Sequence, residues 1–268
     1  MKKSILLSSF ILFLALSFSS CKSEFEKVRS SNDPELLYKK AFEYYEAEEY
    51  LKAQTLFELI IGGLRGKVEA EKVYFYYAYT HYYLRKYILA SYYFKNFTNT
   101  FPNSEQREEA DFMTGYSNYQ MSPSYRLDQT YSLQAIEDLQ LFTNTHPTSE
   151  RVPEANQLID EIRAKLEVKD YEQASLYFDL QEYESATHCF ENMLKDYPDT
   201  KEDEKIRYMI VKAGHLLAQN SIYKKRAERY EATLEAIQRF ETRYKESRYS
   251  KEVKNIKKDS QKKLKSLS

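Results

Sequence analysis

Four histidines, two cysteines and one glycine-rich loop are the residues of this chain whose types admit metal, covalent or phosphate chemistry. The histidines are His81, His146, His188 and His215, and none has a carboxylate or cysteine at metal-ligand spacing. A zinc peptidase helix needs H-E-x-x-H, two histidines one turn apart around a general base, and the chain has no such run. Gly63-Leu64-Arg65-Gly66-Lys67 has the outline of a phosphate loop. It fails at both ends: the motif's first glycine falls on Ile61 and its Ser or Thr on Val68. There is no Gly-x-Ser-x-Gly turn to expose a nucleophilic serine. The carboxylates are many but scattered, as on solvated helix faces. The residues therefore point to binding without catalysis, with no metal or other cofactor.

Cys21 is the exception, because its position suits acylation. Met1-Lys2-Lys3 supplies a positive start, and Ile5 to Phe18 is apolar apart from three serines. Ser19-Ser20 then lead into the cysteine, the order of a secretory signal over residues 1–20. The apolar stretch is shorter than the ~20 residues a spanning helix needs. Phe18-Ser19-Ser20-Cys21 resembles a bacterial lipobox, relaxed at Phe18. The alternative is an ordinary cleaved signal with a chance cysteine; in a chain with two cysteines, lipidation at Cys21 is the favoured reading. Several acyl chains on one residue anchor a protein stably, where one chain does not. Lys22 follows, where an Asp would favour the inner membrane, so the expected location is the outer membrane, facing the periplasm. An acylated Cys21 leaves Cys189 without a disulfide partner, and Cys189 reads as a small core residue.

What must position any binding residues is a repeat. Glu49-Tyr50-x-x-Ala53-x-x-x-Phe57 is echoed by Lys86-Tyr87-x-x-Ala90-x-x-x-Phe94 and by Glu182-Tyr183-x-x-Ala186-x-x-x-Phe190. A small residue between aromatics at this spacing resembles the helix crossing of a tetratricopeptide (TPR) repeat. Gly is 5 and Pro is 6 in 268 residues, 30% are charged, and no alternating strand pattern appears. The expected fold is all-α, a TPR-like α-solenoid of about five helix-turn-helix repeats. Residues 21–32 read as a polar tether, and Asp33-Pro34 as a capped helix start. Repeat one runs from Pro34 to about Arg65 and ends at Gly62-Gly63. Repeat two runs from Val68 to Pro102, with His81 on a packing position as a core histidine. Repeat three opens at Glu108, uses Gly115 for a close approach and resumes near Tyr131 after an insertion over Met121 to Asp128. An extra helix, Pro153 to Lys165, precedes repeat four, which starts near Val168. Repeat five, Glu204 to Ser247, is degenerate: Gly214 is usable, but its second helix has Thr233 where Ala is expected. Residues 248–268 carry seven lysines. Val253, Ile256 and Leu264 are too few apolar positions for an inserting helix, so the tail reads as a solvated cap.

The inner groove of such an array is lined by the first helix of each repeat. Taking Ala41 as position eight, positions five, nine and twelve are Tyr38, Phe42 and Tyr45 in repeat one. They are Phe75, Tyr79 and Tyr82 in repeat two, and Phe112, Tyr116 and Tyr119 in repeat three. All nine are aromatic; repeats four and five lose the run. Aromatic rings give large contact area at low entropic cost, so the nine form a candidate binding groove. The competing reading is that the rings pack on one another. Residues 33–120 thus hold the candidate aromatic groove, and residues 121–247 lack it. The charged candidates of residues 121–247 are Arg126, Asp128, Asp196 and Asp199. Their structural alternatives are an Arg126–Asp128 ion pair and a helix cap at Asp199-Thr200.

A formal net charge of -1 gives no electrostatic case for nucleic acid. The lipobox followed by five unequal repeats resembles the BamD (YfiO) family of outer-membrane assembly lipoproteins. The resemblance rests most on Met193-Leu194-Lys195-Asp196-Tyr197-Pro198-Asp199-Thr200 and Arg126-Leu127-Asp128. Phe101-Pro102-Asn103-Ser104 and Asp33-Pro34-Glu35-Leu36-Leu37-Tyr38 agree with it. It implies a periplasmic scaffold that docks on a BamA-like barrel protein through its C-terminal repeats, residues 121–247, with Arg126, Asp128, Asp196 and Asp199 as the docking candidates. It also implies that the N-terminal repeats receive unfolded β-barrel proteins by a C-terminal signal ending in an aromatic residue. Other TPR lipoproteins, an adaptor for cell-wall synthesis or a surface protein for glycan uptake, are the alternatives.

Overall fold

The computed structural model describes residues 23–267; Cys21 and the signal segment lie outside them. Twelve α-helices and one short 3-10 turn, with no strand, make up the described residues. By backbone contacts these divide into two units: residues up to Ser122 with Tyr131–Asn156, and Pro123–Thr130 with residues from Gln157 onward. The division thus keeps the second helix of repeat three with the first two repeats.

The first unit opens with α1 (Glu24–Arg29), inside the segment expected to be a polar tether. Ser23 caps it by accepting from Glu26 N at 3.2 Å. Its apolar residues lie one turn apart: Val28 is buried and Phe25 meets Tyr44 edge-on at 5.7 Å. Then follow the pairs α2 (Pro34–Glu46) with α3 (Tyr50–Ile61), α4 (Glu69–Tyr83) with α5 (Tyr87–Thr100), and α6 (Arg107–Gln120) with α7 (Thr130–Thr145). Asp33 Oδ1 accepts from Glu35 N and Leu36 N, and Pro34 occupies the first helical position. The repeat phrase does what its spacing implies. Ala41, Ala53, Ala78, Ala90 and Ala135 are fully buried at the crossings, with Phe57 and Phe94 beside them. At Gly115 even an alanine methyl would be crowded, 2.8 Å from Leu139 Cγ.

The helix-to-helix turns recur too. Glu48, Arg85 and Gln181 all take left-handed backbone, at φ 59, 57 and 63°. Each is followed by an amide that reaches back to the last turn: Glu49 N to Tyr44 O, Lys86 N to His81 O, Glu182 N to Tyr177 O, at 2.8–2.9 Å. This is a Schellman closure built without glycine. Repeat one does not end on Gly62-Gly63 alone: they start the 3-10 turn Gly62–Leu64, and Gly66 holds the positive φ of 79°.

Helix α8 (Val152–Asp179) corrects the expected break between an extra helix and repeat four: it is one helix of 28 residues. Lys165-Leu166-Glu167-Val168-Lys169 contains no glycine, proline or cap to stop it. In the second unit α9 (Tyr183–Asp196), α10 (Asp203–Gln219) and α11 (Tyr223–Arg243) pack in succession, and α12 (Ser250–Lys265) lies against both α10 and α11. Phe190, Ile206, Val211, Ile237 and Val253 form the centre of this core. The lysine-rich tail is therefore a packed helix, with Val253, Ile256 and Ser260 buried.

A clamp that the repeat phrase did not reveal closes several repeats. Ser104, Ser149 and Thr200 each accept a backbone N–H two residues on, at 3.0–3.1 Å. Each also donates to a glutamate on an earlier helix: Ser104 to Glu71 and Ser149 to Glu108, both at 2.6 Å, and Thr200 to Glu167. One turn beyond two of these acids sits an aspartate for the closing aromatic: Asp111 meets His146 Nε2 at 2.9 Å, and Asp170 accepts from Tyr197 OH at 2.7 Å.

Candidate functional site

The nine expected groove residues lie on α2, α4 and α6, and one connected set of ring contacts in the first unit contains all of them. Tyr38 meets Phe42 at 4.9 Å, Phe42 meets Tyr76 at 5.2 Å, and Tyr45 meets Tyr76 at 4.8 Å and Tyr83 at 6.2 Å. Tyr79 packs on Phe75 and stacks on Tyr83; Tyr82 meets Tyr83 at 5.6 Å and Tyr116 at 6.0 Å. Tyr116 stacks between Phe112 and Tyr119.

Exposure divides the nine. Phe75 and Phe112 are buried because each turns toward the second helix of its own pair. Phe75 packs on Phe97 at 5.2 Å, and Phe112 on Phe142 at 5.4 Å. These two back the lattice and present no face to solvent. Tyr38, Phe42, Tyr45, Tyr79, Tyr82, Tyr116 and Tyr119 are half-buried, packed on one another and still partly open. The rings thus pack on one another while seven of the nine stay partly open. Tyr83, 45% exposed, is its most open ring, and with Tyr50 and Tyr76 it was missed by the repeat positions. Their signal was simple density: α4 carries Tyr or Phe at seven of its fifteen residues.

The rings are held in place by polar partners. Tyr79 OH donates to Glu109, which also receives Arg151 Nη1 at 2.8 Å; the Arg151 guanidinium lies 4.0 Å from the Phe112 ring centre. Burial, above all, raises the phenols of Tyr45, Tyr79 and Tyr82, with Glu109 adding to the effect at Tyr79. They remain neutral hydrogen-bond donors at any physiological pH. Lys72 Nζ stands 4.5 Å over Phe42 and 5.9 Å from Tyr76, placing a cation at the lattice. Behind it, Lys86 Nζ donates to Gln54 Oε1 at 2.9 Å, and Gln54 Nε2 lies 3.0 Å from the ring nitrogens of His81. Burial, then the nearby Lys86 charge, lowers His81 to about 4. His81 is a satisfied core residue, neutral and stacked on Tyr93 at 4.7 Å.

The docking candidates lie in the second unit, and all four are exposed. Arg126 and Asp128 do not pair with each other. Arg126 Nε donates to Tyr125 OH at 3.1 Å, and Asp128 accepts from Thr130 N at 3.0 Å, which starts α7; hydrogen bonding from the Thr130 side chain, then from its backbone, lowers the Asp128 pKa. The insertion is tied instead by Lys169, which donates to the Tyr125 and Leu127 carbonyls at 3.1 and 3.0 Å. At the other loop the turn bond is made by Thr200, not Asp199. No contact brings Arg126 or Asp128 to Asp196 or Asp199 among the described residues. A cleft of about 350 Å³, which sequence reasoning did not find, lies between α9, α10 and α11. Leu194, Ile210, Ala236 and Phe240 line it, with Lys195, Arg207 and Arg239 among the charged lining residues. Among the described residues there is no cluster that could hold a metal ion, and no helix is long and apolar enough to cross a membrane.

The sequence profile of the family YfiO, described as an outer membrane lipoprotein, matches residues 30–228. A search of curated proteins finds no match. Among solved structures, the TPR domain of P58(IPK) is similar at 14% identity and a TM-score of 0.42, over 91% of this chain and 70% of that one. The repeat assignment rests on this chain's own helix pairs.

Proposed function

We propose, for a chain that belongs to the YfiO family of outer membrane lipoproteins, that it is a lipid-anchored scaffold for the assembly of outer-membrane β-barrel proteins. Its anchor is Cys21, and its working face looks into the periplasm. The repeats of its first unit receive unfolded barrel proteins, and its second unit docks on a BamA-like barrel protein. The observation that carries this reading is the half-open aromatic lattice on α2, α4 and α6.

An extended strand ending in an aromatic residue offers this lattice the geometry it already uses. Its rings meet edge-on, stacked or tilted at 4.4–6.2 Å, and one more ring laid on Tyr83, Tyr82 or Tyr38 would make the same contacts. Lys72, poised over Phe42, supplies a partner for a terminal carboxylate. No bond is made or broken; the scaffold holds its substrate by area and by one charge. In the second unit, the cleft with Leu194, Ile210 and Phe240 on its walls and arginines among its lining offers an apolar side chain a seat and an acidic one a partner.

The test is a fluorescent peptide carrying the last strand of a barrel protein, titrated against parent protein and a Tyr83→Ala, Lys72→Gln double variant. Tyr83 and Lys72 are exposed, so folding should be kept. The reading expects binding that weakens at least about tenfold, the equivalent of ~1.4 kcal/mol. It also expects loss when the peptide's terminal aromatic is replaced. Equal binding by parent and variant would remove the lattice from the mechanism.

A further inference from the structure

Beyond its lipid anchor, we infer that the second unit carries a separate contact for an anionic phospholipid surface, at the turn between α10 and α11. Ile222 and Tyr223 form the tip of this turn, 68% and 67% exposed, the two most exposed large apolar side chains of the second unit. The tip is held firmly. Arg226 Nε donates to the Ser221 carbonyl at 2.8 Å, and Arg229, paired with Glu184 at 2.7 Å, donates to the Ser221 hydroxyl. Ser221 is itself buried. The apolar pair is thus presented by a pinned turn.

Lysines surround it. Lys224 and Lys225 follow directly in sequence, both exposed. Helix α12 brings more. It runs parallel to α10: Lys212 meets Glu252 at 3.5 Å, and seven residues further along both helices Gln219 meets Asp259 at 3.4 Å. His215 also ties the two helices, through Ser260 at 3.0 Å. Ile222-Tyr223, three residues past Gln219, and Lys262-Lys263, three past Asp259, therefore emerge at one end of the unit. Lys224, Lys225, Lys262 and Lys263 make no ion pair among the described residues. Asp259, the acid closest to them on α12, is engaged by Gln219 and His215. Helix α12 holds seven lysines against two acids in a chain whose formal net charge is -1.

An apolar tip containing a tyrosine, ringed by unpaired lysines, has the chemistry of a membrane-interface contact. Tyrosine sits at headgroup depth, isoleucine enters the acyl boundary, and lysines meet lipid phosphates as point charges. The apolar face of α12 is spent on its own core, so this helix stays outside the bilayer and contributes charge alone. An acidic protein would satisfy the lysines, but it would leave the exposed isoleucine and tyrosine without a reason.

The test uses residues 21–268 with Cys21→Ser, which keeps every described residue and removes acylation. Flotation is compared with vesicles of phosphatidylcholine and of phosphatidylcholine containing one part in three phosphatidylglycerol. Binding is expected to the anionic vesicles only, and to fade at high salt. Each lysine at such a surface contributes about fivefold in partitioning, so Lys262→Gln with Lys263→Gln should weaken it about 25-fold. Ile222→Ser with Tyr223→Ser should weaken it at low and high salt alike. All four residues are exposed, and circular dichroism checks the fold; should either pair fail to fold, Lys224→Gln with Lys225→Gln replaces it. No flotation with anionic vesicles, equal flotation with neutral ones, or lysine variants that bind as the parent does would overturn the proposal.

Discussion

Replacing Gly115 by alanine tests the helix crossing that sets the spacing of α6 and α7. A Cβ at this position would lie 2.8 Å from Leu139 Cγ, 2.9 Å from its Cδ2 and 3.0 Å from its backbone nitrogen. Leu139 is fully buried, so its side chain has little room to turn. The backbone contact cannot be relieved by any rotamer, and the two helices must part. Overpacking of this kind costs about 1–3 kcal/mol, against roughly 1 kcal/mol gained from alanine's helix propensity. The backbone contact puts the cost in the upper half of that range, so the net expectation is a loss of about 1–2 kcal/mol, seen as a lower urea midpoint by circular dichroism. Gly214 is the internal control. Its added Cβ would meet only the Thr233 side chain, Oγ1 at 3.2 Å and Cβ at 3.9 Å. There the propensity gain and the milder crowding should nearly cancel, leaving Gly214→Ala within about 0.5 kcal/mol of the parent. A double variant adds a sharper check: Gly115→Ala with Leu139→Ala should be less destabilised than the sum of the two single changes. If Gly115→Ala proved as stable as the parent, or if the two changes were additive, the close crossing would be refuted.

Arg85 holds φ 57° at an exposed turn, and a non-glycine residue there stores strain, so Arg85→Gly should stabilise the chain by roughly 0.5–1 kcal/mol in the same assay. His81 titrates near 6.5 when unfolded but at about 4 when folded, so it is the unfolded chain that takes up a proton first. Its contribution is full above pH ~6.5 and is lost as pH falls toward about 4, by up to about 3 kcal/mol. Urea titrations across that window should therefore show a pH slope that shrinks in His81→Gln. Lys169→Ala removes both bonds to the insertion's carbonyls, and amide exchange at residues 124–129 should accelerate while helix amides in α10 keep their protection.

The repeat was legible because its chemistry is local and recurs. Alanine at a crossing, phenylalanine four residues on and a polar turn before the tyrosine are each decided within one helix pair. Gly115 could be read as a close approach for the same reason, and Asp33-Pro34 as a helix start. What lay hidden depended on distant partners. Glu108 and Asp111 read as surface charge until Ser149 and His146 close on them. The burial of Phe75 and Phe112 follows from the second helices they face, which the count of positions did not weigh. The continuity of α8 was missed from the opposite error, since a repeat boundary was expected where no residue breaks a helix. The short helix α1 was hidden by its polar composition; one buried valine and one phenylalanine are enough to dock it.

The central claim is that this lipoprotein works in outer-membrane protein assembly. It is tested most directly by purifying the protein from detergent-solubilised envelopes of its own host and identifying what comes with it by mass spectrometry. The account predicts a stoichiometric large outer-membrane barrel protein with periplasmic repeat domains. Recovery of cell-wall enzymes or glycan transporters in its place, with no such barrel, would contradict it.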